Sequence, residues 1–291
     1  MSSWRRRQMM QMMAGGSPTP PTPIVLQPFS VSASLQVYFS LGNLQWSATG
    51  GGASPTTHNT ADGLGAEGTW RFAEHQWDII GSGNNNKSQT YSGWVDLFGY
   101  GTSGYNSIFP YLKTNDNNAY PATDITGTYY DWGVYNDIYN PNTQQTDIAG
   151  TWRTPTKDEW TYILNTRTTT SGVRYAKATV NGVGGMIVVP DLWAGTLTLN
   201  SPNTPTAAYN SNVLTDADWE SYEVQGAIFL PQTGYLINAS VFFDATSGFY
   251  YCVNQLASNL AWNMRLQPSN MTFDYKDKKQ GQAVRLVHDV I

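Results

Sequence analysis

Trp152-Arg153-Thr154-Pro155-Thr156-Lys157-Asp158-Glu159-Trp160 is the stretch from which the fold is read. Pro155 fixes its own φ and keeps Thr154 out of the helical region, so the chain arrives extended. Thr156 is placed to accept from the backbone N–H three residues on, and Glu159 to reach back to the Thr156 N–H. That is the spacing of a capping box, with Asp158 adding negative charge at the positive end of the helix. The helix is expected to run through Trp160, Tyr162, Ile163 and Leu164. Trp160, Ile163 and Leu164 stand at i, i+3 and i+4, so they share one face and should meet a core.

The same residues resemble the "W-R-L-P-T-x-x-E-W" signature of a C-type-lectin-like family. That family includes the formylglycine-generating enzymes and the variable proteins of diversity-generating retroelements. A second resemblance lies near the C-terminus: Gly248-Phe249-Tyr250-Tyr251, then Ala261-Trp262-Asn263-Met264-Arg265-Leu266, then Gly281-Gln282-Ala283-Val284-Arg285-Leu286-Val287. These are similar to the family's "G-x-Y-W-S-S … A-x-x-L-x-F … G-x-S-V-R-L-V" ending, with Cys252-Val253-Asn254 standing where "W-S-S" is usual. Order and spacing agree over about half of the chain, and residues 29–105 resemble the leader of Bacteroidetes members and their phage relatives. The resemblance implies an α+β fold, a C-type-lectin-like domain with long loops over residues 29–291, preceded by an arm and a Pro-rich spacer over residues 1–28.

Composition narrows the function classes. Of the 291 residues 13% are charged and 13% aromatic, with 11 Trp and 18 Tyr, so the surface should be polar but largely uncharged. Such a surface suits sugars or protein faces better than phosphate backbones. A net charge of −5 supplies no counterion-release drive, which sets nucleic-acid binding aside. One cysteine, Cys252, excludes an internal disulfide framework and a cysteine zinc cluster, and its strand-like context reads as a small buried hydrophobe. No apolar run reaches membrane-spanning length, so no membrane insertion is expected.

Along the chain, Arg5-Arg6-Arg7 and then Met9-Met10-Gln11-Met12-Met13 form a short arm suited to docking on a partner. Its apolar part is too short and too interrupted for an export signal. Pro18, Pro20, Pro21, Pro23 and Pro28 make a semi-rigid spacer. Residues 36–40 and 43–46 read as paired strands broken at Gly42, residues 48–68 as a surface loop, and residues 69–72 and 77–80 as strand and core aromatics. Residues 81–88, with Asn84-Asn85-Asn86, read as another loop. Residues 174–180 and 185–190 form a strand pair around Asn181-Gly182, a two-residue hairpin signal. A short helix carrying Trp219 is expected over residues 215–224, and core strands over 226–231 and 233–237.

Each candidate for chemistry has a plainer reading. Gly99-Tyr100-Gly101-Thr102-Ser103-Gly104 matches G-x-G-x-x-G, but Pro110 follows too soon for the helix a pyrophosphate site needs, so the run is a turn. His58, His75 and His288 have no ligand-like spacing. The oxygenase-like relatives need a histidine cluster and the formylglycine-generating relatives a cysteine pair, and neither is present. Asp216, Asp218, Glu220 and Glu223 read as a solvated helix face rather than a calcium site or paired carboxylates. Trp262-Asn263 is followed by Met264, which breaks the "W-N-D" triplet of calcium lectins. No catalytic residue, no metal and no cofactor is expected.

What remains is the segment from Tyr250 to Lys279. Tyr250, Tyr251, Asn254, Gln255, Asn259, Asn263, Arg265, Tyr275, Lys276 and Lys278 bring aromatic, amide and basic groups in quick succession, the chemistry of an antibody-like paratope. They are expected to lie together on one exposed face, with Tyr251, Asn254, Asn263 and Arg265 foremost, and with Trp262 and Leu266 inward. In the retroelement-linked relatives this segment is the variable one. The resemblance therefore implies a non-enzymatic, phage virion-associated adhesin or receptor-binding protein. It would display that face to a host-surface glycan or protein and join a virion protein through the arm, with a homo-oligomer such as a trimer expected. The alternatives are a structural virion decoration or fibre protein that uses the domain for oligomer contacts, and a bacterial cell-surface binding protein.

Overall fold

A computed structural model describes residues 23–49, 68–238, 240–242 and 246–290. The arm, the first half of the spacer, His58 and nearly all of the loop expected at 48–68 lie outside the described residues. About a third of the chain is strand and about 15% helix, a strand-rich α+β arrangement.

The first strands are β1 (Phe29–Ser30), β2 (Gln36–Phe39), β3 (Leu44–Ser47) and β4 (Thr69–Phe72). They are followed by β5 (Ile138–Asn140), β6 (Gln145–Asp147), β7 (Tyr175–Val180), β8 (Val183–Val188), β9 (Val213–Leu214) and β10 (Ile228–Pro231). The last are β11 (Tyr235–Ile237), β12 (Ser240–Phe242), β13 (Gly248–Ala257), β14 (Leu260–Gln267), β15 (Asn270–Asp277) and β16 (Val287–Asp289). The helices are α1 (Trp132–Tyr135), α2 (Lys157–Thr161) and α3 (Asp216–Glu223). Among the described residues five small sheets result, in orders β1-β2-β16, β3-β4-β5-β6, β10-β8-β7-β9, β11-β12 and β13-β14-β15.

The signature stretch does what its spacing predicts. Thr156 Oγ1 accepts from Glu159 N at 3.1 Å and Glu159 Oε2 accepts from Thr156 N at 2.7 Å, so both halves of the capping box form. Helix α2 continues into a π-helical turn over Tyr162–Thr166, and Trp160, Ile163 and Leu164 are fully buried. Two further contacts tie this stretch to the C-terminal part of the chain. Arg153 and Val287 exchange backbone hydrogen bonds at 2.8 Å, and Val253 N donates to the Pro155 carbonyl at 3.0 Å.

The hairpin around Asn181-Gly182 forms between β7 and β8, with both turn residues at positive φ, 46° and 82°, as a type I′ turn requires. The Gly99–Gly104 run is a turn, with Gly101 at φ 69° and Gly104 at φ 102°. Residues 36–39 and 44–47 are strands but do not pair: β2 lies between β1 and β16, whereas β3 joins β4. Gly42 is the crossing point between those sheets, where a Cβ would sit 2.6 Å from the Ala73 carbonyl oxygen. Residues 77–80 are not a strand, although Trp77 is buried. Residues 81–86 are a 3-10 turn around buried Asn84, whose Oδ1 accepts from Asp96 N and Leu97 N, both at 3.0 Å.

Among the described residues the buried apolar side chains form three layers. One centres on Trp160, Phe39, Tyr250, Met264 and Leu266, and a second, rich in aromatics, on Trp46, Trp70, Trp132, Trp152 and Tyr251. The third lies under α3, around Trp193, Trp219 and Phe229. The sheet β13-β14-β15 touches the first layer with one face and the second with the other. It is therefore largely interior at β13 and opens outward only toward β15.

Candidate ligand-binding face

Strand pleating decides what this sheet can offer. In the antiparallel register, Trp262 pairs with Tyr275, Met264 with Phe273 and Leu266 with Met271. These six side chains share one face. On the other face Asn263 pairs with Asp274, Arg265 with Thr272 and Ala261 with Lys276. Tyr275 is thus on the opposite side of the sheet from Arg265 and Lys276, and the expected single face does not exist.

Burial removes several expected contacts. Tyr250 is fully buried, and its hydroxyl donates to the Pro231 carbonyl at 2.6 Å. Tyr251 is fully buried between Tyr100 and Trp132, with its hydroxyl donating to the Gln280 carbonyl at 2.6 Å. Burial holds both phenols far above their ordinary pKa. Asn263 is also fully buried, and neither end of its amide has a hydrogen-bond partner among the described residues. Lys278 is buried as well: its Nζ donates to the Pro121 carbonyl and to Gln255 Oε1, each at 2.7 Å. Desolvation lowers the Lys278 pKa to about 8, against the opposing pull of Asp124. Tyr250, Tyr251, Asn263 and Lys278 are therefore internal groups. The physical reason is that the first half of β13 and the middle of β14 are packed on both faces, so alternation sends Tyr250, Tyr251 and Asn263 inward on one side or the other, while Lys278 lies just past the end of β15.

The others reach the surface in different ways. Asn254 is half-buried and structural: its Oδ1 accepts from Lys157 N at the start of α2 at 2.9 Å, and its Nδ2 donates to Asp124 Oδ2 at 3.0 Å. Gln255 is half-buried against Lys278, while Asn259 is exposed at the β13–β14 turn. Arg265 and Lys276 flank Asp274 at 3.7 and 3.3 Å, and the three side chains are 33%, 32% and 29% exposed respectively. The Arg265 guanidinium lies over the Phe249 ring at 5.6 Å. Exposed ion pairs of this kind contribute about 0–1 kcal/mol, so the cations can exchange Asp274 for another acceptor at little cost.

On the opposite face Tyr275, 46% exposed, meets Trp262 edge-on at 5.8 Å. Lys157 Nζ sits over the Trp262 ring at 4.4 Å. Leu266 is buried as expected, but Trp262 is only partly so. Sequence reasoning missed Asp274, Thr272, Phe273 and Lys157 as members of these surfaces. The alternation of residues 270–277 was the available signal, since a half-buried strand places Met271, Phe273 and Tyr275 opposite Thr272, Asp274 and Lys276.

Strand β15 is the edge of its sheet, and none of its eight residues is buried. It therefore offers an unpaired backbone edge between an aromatic rib and a charged one. Cys252, by contrast, is fully buried, and desolvation pushes its thiol well above the ordinary range. Among the described residues no three His, Cys, Asp or Glu side chains converge as metal ligands would. Comparison of the chain with protein-family models, curated proteins and solved structures gives no match.

Proposed function

We propose that this chain is a non-enzymatic binding protein of C-type-lectin-like type, a phage virion-associated adhesin whose contact surface is the open β14–β15 edge. The observation that carries the reading is β15 itself, an eight-residue edge strand with no buried residue. Natural proteins protect long edges, so one left open beside accessible Arg265, Lys276 and Tyr275 is suited to contact with another molecule. The motifs of residues 152–160 and 248–287 support the lectin-like assignment, and the arm supplies a tether to a virion protein. The ligand is a host-surface glycan or protein: Tyr275 and Trp262 offer aromatic area, and Arg265 and Lys276 directional donors.

The test is host-cell and glycan-array binding by two variants of the full chain, one per rib. Arg265→Ala with Lys276→Ala removes the charged rib, and Tyr275→Ala the aromatic one. At least one should weaken binding ten-fold or more while the melting temperature stays within about 2 °C, and EDTA should change nothing. Binding untouched by both variants would refute this contact surface.

The burial of Tyr251 and Asn263 favours a second reading, in which the domain is a structural virion component. An open edge strand pairs readily with a second copy. Cell binding and an oligomer in light scattering that both survive the same variants, with the oligomer lost to a proline in β15, would assign that edge to subunit contact instead.

A further inference from the structure

A cavity of about 440 Å³ lies away from this sheet, between α3, residues 72–77 and the start of the described chain. Its volume falls in the range of ligand-sized clefts, roughly 300–1,000 Å³. Asp216, Glu220 and Glu223 line it from α3, and Glu74 from the opposite wall. The three helix residues stand at i, i+4 and i+7, a single stripe, so the acidic face expected to be solvated looks into the cavity instead. Only Asp218 is turned away, capping α3 by accepting from Thr215 N at 2.9 Å.

Two groups report the local field. Burial alone would lower the His75 pKa, yet it is raised, because Asp78 bonds its ring and Glu74 and Asp216 lie near. Desolvation raises Glu223, with Glu220 adding to the effect, although Gln76 donates to it at 3.0 Å. Glu74 has a cation in reach, Arg71 at 3.6 Å, but no Lys or Arg is among the described residues lining the cavity. His75 stacks on Trp77 at 4.7 Å, giving an aromatic wall beside the carboxylates. Planar cations such as guanidinium groups favour that combination.

The described chain begins in this cavity. Pro23, Ile24 and Val25 line it, and Asn142 clamps Ile24 by accepting from its N at 2.7 Å and donating to its O at 3.0 Å. Sixteen residues upstream stands Arg5-Arg6-Arg7, the densest positive run in the chain. Sixteen residues span at most about 55 Å when extended, so the run can reach the cavity of its own copy or of a neighbour. We propose that the acidic cavity beside α3 is the docking site for the Arg5–Arg7 run of this chain. This inference is independent of the ligand face, and it gives the arm a binding site on the domain itself. A virion protein would take the arm by displacing it from there.

Disulfide trapping in the full chain tests it. Val224, exposed at 62% and on the cavity rim, becomes the reporter in Arg6→Cys with Val224→Cys. Arg6→Cys with Leu192→Cys is the control, since Leu192 is exposed at 70% and does not line the cavity. Trapping should be at least ten-fold faster at position 224. A shifted monomer band on a non-reducing gel means the arm docks on its own copy, a dimer band that it docks on another, and both support the site. Adding Asp216→Lys and Glu220→Lys should abolish the preference while circular dichroism stays unchanged. Equal trapping rates at 224 and 192, or a preference that survives the charge reversal in the folded protein, would overturn it.

Discussion

Removing the carboxylate of Glu159 should cost more than removing the hydroxyl it works with. Glu159 carries three hydrogen bonds: its Oε2 accepts from Thr156 N at 2.7 Å and Arg153 Nη1 at 2.8 Å, and its Oε1 from Arg153 Nη2 at 2.6 Å. Thr156 Oγ1 carries one bond, from Glu159 N at 3.1 Å. Loss of a threonine N-cap costs about 1 kcal/mol, so Thr156→Ala is set there. Hydrogen bonds to charged groups contribute roughly 1.5–3 kcal/mol. Arg153 and Glu159 side chains are 23% and 12% exposed, and Arg153 also holds Asp289 at 2.7 Å, so it is not stranded when Glu159 is neutralised. Allowing for that second partner and for solvent screening, Glu159→Ala, which removes the acceptor altogether, should cost about 2 kcal/mol. Equilibrium urea unfolding reads both as midpoint shifts at constant slope. The two residues complete one cap, so the double variant should fall short of the sum by at least about 0.5 kcal/mol. A Glu159→Ala cost below that of Thr156→Ala, or strict additivity of the two, would refute the reciprocal cap as the source of the helix's start.

Two further outcomes follow from buried groups. Desolvation raises the carboxyl pKa of Asp131 and of Asp96 to about 6, so the native state keeps protons that the unfolded chain loses near pH 4. Their contribution is complete below pH 4 and is lost as pH rises through 6. Stability measured by urea unfolding should therefore fall across that window, and Asp131→Asn should flatten the fall. Tyr251→Ala should destabilise by about 3–5 kcal/mol, while Tyr251→Phe should cost about 1 kcal/mol for the hydroxyl bond to Gln280.

The elements legible in the sequence were those fixed by local chemistry. Thr156 and Glu159 satisfy each other within one turn, and Asn181-Gly182 needs only its own backbone angles to close a hairpin. Residues whose roles depend on distant neighbours were not legible. Gly42 looked like a break in a hairpin, but its constraint is the Ala73 backbone thirty-one residues away, where β2 and β3 part into different sheets. Asp216, Glu220 and Glu223 read as a solvated stripe because the wall facing them comes from residues 72–77 and from the chain's own entry at Pro23.

The segment Tyr250–Lys279 shows why composition alone misplaces a binding face. Tyrosine and asparagine suit a paratope because each pairs a sizeable body with a polar tip, and the same property lets them serve between two core layers. Tyr250 and Tyr251 bury their rings and spend their hydroxyls on backbone carbonyls, of Pro231 at the end of β10 and of Gln280 just past β15. The distinction lies in strand position: Gly248–Val253 of β13 are all buried and four of the eight residues of β14 are, whereas β15 has no buried residue and only rests Met271 and Phe273 on the core. Along an open edge strand the period of two then separates the possible partners. A ligand lying on one face can use Arg265 and Lys276, or Trp262 and Tyr275, but not both pairs, whereas a strand added at the edge engages the backbone and needs neither. Side-chain truncation of the two ribs therefore tells recognition of a ligand from edge-to-edge assembly, because only recognition should fail for one rib and survive for the other.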